Sequence, residues 1–262
     1  MVNWYCKSKA SFNFFVMCKS VFLRYRKHVS QFRKMEILPE KDALGQAIID
    51  YSLKTDNELK IAVHSPDFDT DYIPVSYLFR TYQEMPLIEQ TALKLAKGKV
   101  LDVGAGAGCH SKYLNQKGLS VTALEISPLA CQYLSEIDIK NCNTSIYAFN
   151  TDEKFDTILL LMNGLGLAGN VKNLKNLMDK LVDLLSENGQ ILVDSSDLRY
   201  LSDTEEITTI NYQMQYKNIF TDSFEWLYLS YESLSFLIQM YGYQIEKITD
   251  GSHYDYLARI TK

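Results

Sequence analysis

Apolar runs alternate with amphipathic stretches from Lys99 to the end of the chain, a rhythm typical of repeated strand–helix–strand units. The pattern predicts strands at 99–103, 120–125, 144–149, 155–162 and 190–194. The run from Phe155 to Met162 is almost continuously apolar, as expected of a central strand that is covered on both faces. Because helices separate the strands, the pattern predicts a mostly parallel sheet.

Capping residues mark where the intervening helices begin. In Ser127-Pro128, a serine suited to the N-cap precedes a proline at the first helical position. The sequence predicts helices from Ser127 to about Ile137, from Asn170 to about Glu187, and from about Ser230 to Tyr241. The leucines of the middle helix form a single stripe, which is expected to pack in the core.

The last two predicted strands, 243–249 and 254–260, are separated only by a turn at Asp250-Gly251. Strands joined so tightly must pair antiparallel. The sequence therefore predicts an α/β fold with a seven-stranded, mostly parallel sheet that ends in an antiparallel hairpin.

Two segments lie outside this alternation, residues 35–98 and an insertion at 197–228. The first has predicted helices at 42–53 and about 82–97 and a predicted strand at 59–64, and the second has a strand-like stretch from Ile207 to Tyr216. Both are expected over the carboxyl ends of the strands, where open α/β sheets bind ligands. We therefore predict an N-terminal helical lid at 35–98, followed by the main domain at 99–262.

Charge is distributed unevenly along the 262 residues, whose net charge is −5. Residues 1–34 carry eight Lys and Arg and no Asp or Glu, which leaves 35–262 with 19 basic and 32 acidic residues, a net charge of −13. The apolar run in this basic extension is too short to span a bilayer, and we interpret the extension as a misassigned start or a disordered segment. The negative charge of residues 35–262 would repel a phosphate backbone, which disfavours nucleic acid as the substrate.

Five cysteines, at positions 6, 18, 109, 131 and 142, form no C-x-x-C pair. Neither a zinc site nor a disulfide framework is indicated, so we predict no metal and a reducing, cytoplasmic setting. No stable membrane insertion is expected, and the sequence leaves the oligomeric state open.

A turn with three glycines follows the first predicted strand, in the sequence Asp102-Val-Gly-Ala-Gly-Ala-Gly108. Glycines permit a tight turn and a close approach of the backbone to a ligand, and the helix that follows aims free N–H groups at it. A dinucleotide fingerprint requires a third small residue that this spacing lacks. A second carboxylate, Glu125, ends the next strand, where it suits a ribose diol.

This motif resembles motif I of the class I S-adenosylmethionine-dependent methyltransferases, an acidic residue followed by G-x-G-x-G. The strand order also resembles the Rossmann-like fold of that family. The resemblance implies that S-adenosyl-L-methionine is the cofactor and that the chain is a methyltransferase. Only residues 99–126 carry specific motif identity.

The resemblance also implies roles for individual residues. Gly104, Ala105, Gly106 and Gly108 would contact the methionine part of the cofactor, Asp102 its amino group, Glu125 the ribose, Ile126 and Asn150 the adenine, and Met162 the reacting methyl group. For His110, two interpretations stay open, a contact to the cofactor carboxylate or a solvated helix turn. The candidates for a catalytic role are His253 and Asn163, while Asp194 and Asp197 follow the fifth strand.

The predicted acceptor is a small molecule. Strand four ends in Met162-Asn-Gly-Leu-Gly and lacks the Asn/Asp-Pro-Pro-aromatic motif of enzymes that methylate base or glutamine amino groups. The insertion is acidic, which favours a neutral or cationic acceptor. The alternatives are a protein side-chain methyltransferase, a non-catalytic S-adenosylmethionine-binding module, and an NAD-dependent oxidoreductase.

Overall fold

A computed structural model describes residues 37–200 and 207–262 of the chain. The helices are α1 (Ala43–Leu53), α2 (Leu87–Leu95), α3 (Cys109–Gln116), α4 (Pro128–Glu136), α5 (Val171–Leu184) and α6 (Tyr231–Met240). The strands are β1 (Lys60–His64), β2 (Asp71–Pro74), β3 (Lys99–Val103), β4 (Ser120–Glu125), β5 (Asn141–Asn143), β6 (Phe155–Leu160), β7 (Leu185–Ser196), β8 (Ile207–Tyr216), β9 (Ile219–Phe220), β10 (Phe224–Leu229), β11 (Gln244–Asp250) and β12 (Asp255–Thr261).

Seven strands form the main sheet in the order β11-β12-β7-β6-β3-β4-β5. The pairs from β7 to β5 are parallel, whereas β12 runs antiparallel to both β7 and β11. The predicted α/β fold with a mostly parallel sheet and an antiparallel C-terminal hairpin is therefore confirmed. This order brings the carboxyl ends of β3, β4, β6 and β7 to one edge of the sheet.

The strand predicted at 144–149 is wrong, because the chain there folds into a turn. The edge strand β5 lies earlier, and the N–H groups of Ala148 and Phe149 both donate to the carbonyl oxygen of Ser145. Ile146 and Phe149 are buried, and a helical turn places both of them against the core. The helix predicted at about 82–97 is likewise split into a 3-10 turn, Tyr82–Glu84, and α2.

The leucine stripe of α5 packs in the core, as predicted. Leu174, Leu177, Met178 and Leu181 are fully buried in the cluster that covers β6 and β7. Each such side chain contributes about 1.5–3 kcal/mol relative to an exposed one. This packing fixes β6 and β7, whose ends carry residues of the candidate site.

A second, antiparallel sheet joins the N-terminal segment to the insertion. Its strand order is β10-β8-β1-β2, with β9 paired to β8. Val63 in β1 lies opposite Met214 in β8, a pairing between segments about 150 positions apart in the sequence. The N-terminal segment therefore holds strands as well as helices, and the inner face of this sheet covers the carboxyl ends of the main strands.

Asp42 anchors the N-terminal segment to the main sheet's helices. Its carboxylate caps α1 by accepting the Gly45 N–H at 2.9 Å, and it also accepts the Ser127 hydroxyl at 2.8 Å. Ser127 in turn caps α4. Loss of one such cap costs about 0.5–2 kcal/mol.

The predicted extension at 1–34 lies outside the described residues, as do positions 201–206 of the insertion. None of the helices in the described ranges has the length and apolar character of a membrane span.

Candidate functional site

A cavity of about 690 Å³ lies between the carboxyl edge of the main sheet and the inner face of the second sheet. This volume is in the range of sites that bind drug-sized molecules. Its lining includes the turn after β3, the ends of β6 and β7, and residues of β1, β2, β8 and β10. Both sheets therefore contribute to a single site.

The glycine turn forms one wall of this cavity. Gly104 and Gly106 line it with φ angles of +77° and +55°, in the left-handed region that favours glycine. A Cβ atom on Gly106 would have no protein atom within 4 Å, so the space in front of this residue is free for a ligand.

Gly108 has a different function in the same turn. It is the N-cap of α3 with φ +75°, and a Cβ atom there would lie 2.4 Å from Leu134 Cδ2. It does not line the cavity. The third glycine is thus explained by the close packing of α3 against α4.

Glu125 stabilises the neighbouring turn. Its buried carboxylate accepts N–H groups of Gly106, Ile126 and Ser127 at 2.8–2.9 Å, and burial raises its pKa although these bonds oppose the rise. Glu125 and Ile126 are not part of the cavity lining, but Glu125 is joined to the wall by its bond to Gly106, and the Ile126 N–H donates to the same carboxylate.

A buried charge cluster lies at the end of the cavity near α3. The Glu89 carboxylate pairs with Arg80 and accepts a bond from His110 Nε2 at 2.7 Å, and all three residues line the cavity. Burial alone would lower the pKa of His110, but Cys109, Glu89 and Asp102 outweigh it and raise the pKa to about 10. With two cations and one anion, the cluster carries a net positive charge.

His110 is therefore buried, and the interpretation of it as a solvated residue is wrong. Arg80 also stacks on Tyr77, with its guanidinium carbon 4.1 Å from the ring centroid. Asp102 lies on the same wall, 2% exposed, and accepts the Ser111 hydroxyl at 2.7 Å. A negative and a positive group thus stand beside the glycine turn, which suits the ammonium and carboxylate groups of an amino acid.

The chain turns sharply after β6, at Met162-Asn163-Gly164. Met162 and Asn163 both have positive φ, +65° and +55°, which costs non-glycine residues energy unless the surroundings hold them. Asp194 supplies that hold, because its carboxylate accepts the Met162 N–H at 3.1 Å and the Gly164 N–H at 3.0 Å. Burial raises the pKa of Asp194 to about 7.

Asn163 is fixed from two further sides. Its side-chain oxygen accepts the Ser196 hydroxyl at 2.8 Å, and its carbonyl accepts Trp226 Nε1 at 3.0 Å. A Cβ atom on Gly166 would lie 2.0 Å from the indole nitrogen, so glycine is required there. Met162 is 37% exposed and lines the cavity beside Asn163.

Two predicted site residues stand apart from this cluster. His253 lines only the outer rim, where it is exposed and its Nδ1 lies 2.7 Å from the Ser252 hydroxyl. Asn150 is not brought to the cavity, because its exposed amide bonds Ala148 and the Lys180 ammonium. The turn that replaces the predicted third strand carries Asn150 away from the carboxyl edge.

Sequence reasoning missed part of the site. Glu89 and Asp71 carry no motif, and for His110 the sequence leaves a cofactor contact and a solvated position as alternatives. The aromatic residues of the segments 35–98 and 197–228 are a partial signal in the sequence, since Tyr77, Tyr212, Trp226 and Tyr228 line the cavity, whereas Phe79, Tyr82, Tyr216 and Phe220 do not. Strand alternation does not produce this division, because Tyr216 shares a face of β8 with Tyr212 but packs with Ala43 and Ala47 of α1 instead.

Comparisons with known proteins identify a family. A family model described as a methyltransferase domain matches residues 76–248. A solved S-adenosylmethionine-dependent methyltransferase from Bacteroides fragilis, in complex with S-adenosylhomocysteine, is 41% identical, with a TM-score of 0.81 over 87% of this chain and 99% of that one. No curated protein matches the chain.

Two more distant structures agree in fold. The CcbJ methyltransferase from Streptomyces caelestis is 14% identical, with a TM-score of 0.53 over 69% of this chain and 94% of that one. A sugar N-methyltransferase from Streptoalloteichus is 13% identical, with a TM-score of 0.52 over 67% and 85%. At these identities the likeness concerns the fold alone.

Proposed function

Because the chain belongs to the methyltransferase domain family and is an S-adenosylmethionine-dependent methyltransferase, we propose that it methylates a small molecule bound between its two sheets. The observation that carries the proposal is that one cavity is lined both by the glycine turn and by the inner face of the second sheet. Donor and acceptor would then occupy adjoining parts of the same space.

The residues around the glycine turn fit the cofactor. In the proposed arrangement, the open space before Gly106 accommodates the methionine portion, Asp102 faces its ammonium group, and the Arg80–His110 cluster faces its carboxylate. Gly104, Ala105 and Met162 line the same wall and are proposed to contact the cofactor. Glu125 and Ile126, joined to Gly106, are the proposed ribose and adenine contacts.

S-adenosylmethionine supplies a methyl group bound to a sulfonium, a good leaving group in a direct displacement. The main task of the chain is therefore to align the acceptor and to exclude water. Asp194 and Trp226 hold the turn at 162–164, which supports the proposal that Met162 and Asn163 lie at the reaction centre. The second sheet covers this centre.

The shape of the cavity supports a small acceptor over a protein side chain, the runner-up. A volume of about 690 Å³ between two sheets suits a compact molecule, whereas a protein substrate needs a groove that also receives its backbone. The net charge of −13 on residues 35–262 supports the exclusion of nucleic acid.

Transfer of a deuterated methyl group tests the proposal. The full chain is incubated with methyl-deuterated S-adenosylmethionine and either the small-molecule or the protein fraction of a cell extract, and both are analysed by mass spectrometry. We expect label in the small-molecule fraction. Label in protein alone would favour the runner-up, and cofactor binding with no labelled product in either fraction would favour a non-catalytic module.

A further inference from the structure

The part of the cavity remote from the glycine turn is walled by aromatic rings. Tyr212, Phe224 and Trp226 project from one face of the second sheet, with Phe224 centred 6.2 Å from Tyr212 and 5.9 Å from Trp226. The Tyr212 and Tyr228 hydroxyl oxygens lie 3.1 Å apart. The bond from Trp226 to Asn163 places this wall directly against the turn after β6. An acceptor beside the reacting methyl group would contact these rings.

The charges in the same region are negative. Asp69, Asp71, Asp194 and Asp255 line the cavity, whereas the cationic groups of the described lining, Arg80 and His110, are both paired with Glu89 at the end near α3. Asp71 shares the inner face of the sheet, opposite Val63. Burial raises the pKa of Tyr212, and the negative charge of Asp71 adds to that rise, so the carboxylate and the aromatic wall are electrostatically coupled.

Aromatic faces and carboxylates together attract cations. A cation over an aromatic ring is attracted by the negative face of the ring, and the attraction strengthens as water is excluded. An anionic acceptor would be repelled by four carboxylates, and an alcohol would gain little from them. On the basis of the proposed function, we propose that the acceptor is a small amine, bound as an ammonium between Asp71 and the wall formed by Tyr212, Phe224 and Trp226.

The chemistry of methylation then requires the ammonium to lose one proton. Asp194 lines the cavity next to Met162, and each of its oxygens retains a lone pair after accepting one backbone N–H. The proton passes to this carboxylate, and the nitrogen lone pair bonds to the methyl carbon as the carbon–sulfur bond breaks. The bond electrons remain on sulfur, and S-adenosylhomocysteine leaves. A pKa of Asp194 raised to about 7 suits this transfer.

Binding to the S-adenosylhomocysteine-loaded protein tests the acceptor class. Calorimetry is performed with three probes that share an indole body, namely tryptamine, indole-3-ethanol and indole-3-propionate. We expect tryptamine to bind about tenfold or more tightly than the alcohol, which corresponds to about 1.4 kcal/mol, and the carboxylate to bind most weakly.

Asp71→Asn identifies the site. An asparagine keeps an oxygen for the Tyr72 N–H, which Asp71 accepts at 2.7 Å, so the variant removes charge with little change of structure. We expect tryptamine to bind about three- to tenfold more weakly to this variant, with the alcohol unchanged. The matched control is Glu58→Gln, which removes an exposed charge from the same segment outside the cavity.

The outcomes separate this inference from the proposed function. If S-adenosylhomocysteine binds but the alcohol or the carboxylate binds as tightly as tryptamine, or if none of the probes binds, the amine proposal is overturned and the proposed function stands. An equal loss of tryptamine affinity in both variants also overturns it. Failure of S-adenosylhomocysteine to bind overturns both proposals.

Discussion

At the residue scale, the three glycines of one motif have different structural reasons. Gly108 allows two helices to pack closely, while Gly106 faces open space in the cavity wall. The motif spacing predicts the turn, but it does not distinguish these reasons. Side-chain positions from α4, which is about 20 residues further along the chain, are needed to do so.

Gly106→Ala therefore separates ligand binding from folding. Because no protein atom lies within 4 Å of the added Cβ, the cost to folding is mainly that of positive φ, about 1–2 kcal/mol. Gly118→Ala is the matched control, since Gly118 has φ +82°, equally free surroundings and no part in the cavity. We expect S-adenosylhomocysteine affinity, measured by calorimetry, to fall about tenfold or more in the first variant and to be unchanged in the second. Equal affinities in the two variants would contradict the assignment of Gly106.

The proposed role of Asp194 as proton acceptor predicts a pH dependence of methyl transfer. Its pKa is raised from 3.8 to about 7, so the carboxylate that accepts a proton predominates only above about pH 7. The folded protein binds the proton more tightly than the unfolded chain does, so the stability that this contributes is lost as the pH rises from 3.8 to about 7. The charged and titratable groups that face it are Glu89, His110, Tyr77, Tyr228 and Tyr256. We expect the single-turnover rate to rise with pH through about 7.

Asp194→Asn should remove this rise and lower the rate at pH 8 by about 10²-fold or more, in the range of general base catalysis. Asparagine retains one oxygen for the backbone N–H groups, and unchanged S-adenosylhomocysteine affinity would show that the turn survives. A rate rise through pH 7 that persists in the variant would exclude Asp194 as the proton acceptor.

At the element scale, the sequence predicts the elements that follow a simple rhythm. Strands β3 and β4 have the predicted bounds, and the stretch 207–216 is the strand β8. The strand prediction for residues 144–149 is wrong because a helical turn buries the apolar side chains of Ile146 and Phe149 as well as a strand would. The pairing of β1 with β8 joins segments that local patterns cannot connect, so the second sheet is beyond prediction, although the sequence does predict both segments over the carboxyl ends of the strands.

Because β10 contacts the turn after β6 through Trp226, we expect a change of Trp226 to disturb the alignment of the acceptor with the methyl group. Trp226→Phe keeps an aromatic ring but loses the 3.0 Å bond to the Asn163 carbonyl, and the lost bond is worth about 0.5–1.5 kcal/mol. We expect kcat for a small-molecule acceptor to fall about five- to tenfold, while S-adenosylhomocysteine affinity stays within about twofold. A loss of cofactor affinity equal to the loss of kcat would show that Trp226 supports the cofactor wall instead.

At the scale of the whole molecule, charge is sorted along one cavity. The end near the glycine turn contains the net positive Arg80–Glu89–His110 cluster beside Asp102, and the end under the second sheet contains carboxylates and aromatic rings. The acidic composition of the insertion indicates the negative end of the cavity. The buried cluster, in contrast, depends on residues 80, 89 and 110, which only the fold brings together. The positive end suits the carboxylate of the cofactor, and the negative end suits an amine.

A crystal structure of the full chain with S-adenosylhomocysteine tests this arrangement most directly. The account predicts the amino-acid end of the ligand between Gly106 and the Arg80–His110 cluster, with its sulfur atom directed toward Asn163 and the Trp226 wall. A ligand outside the cavity, or a sulfur atom directed away from the second sheet, would contradict the claim that donor and acceptor share the space between the two sheets.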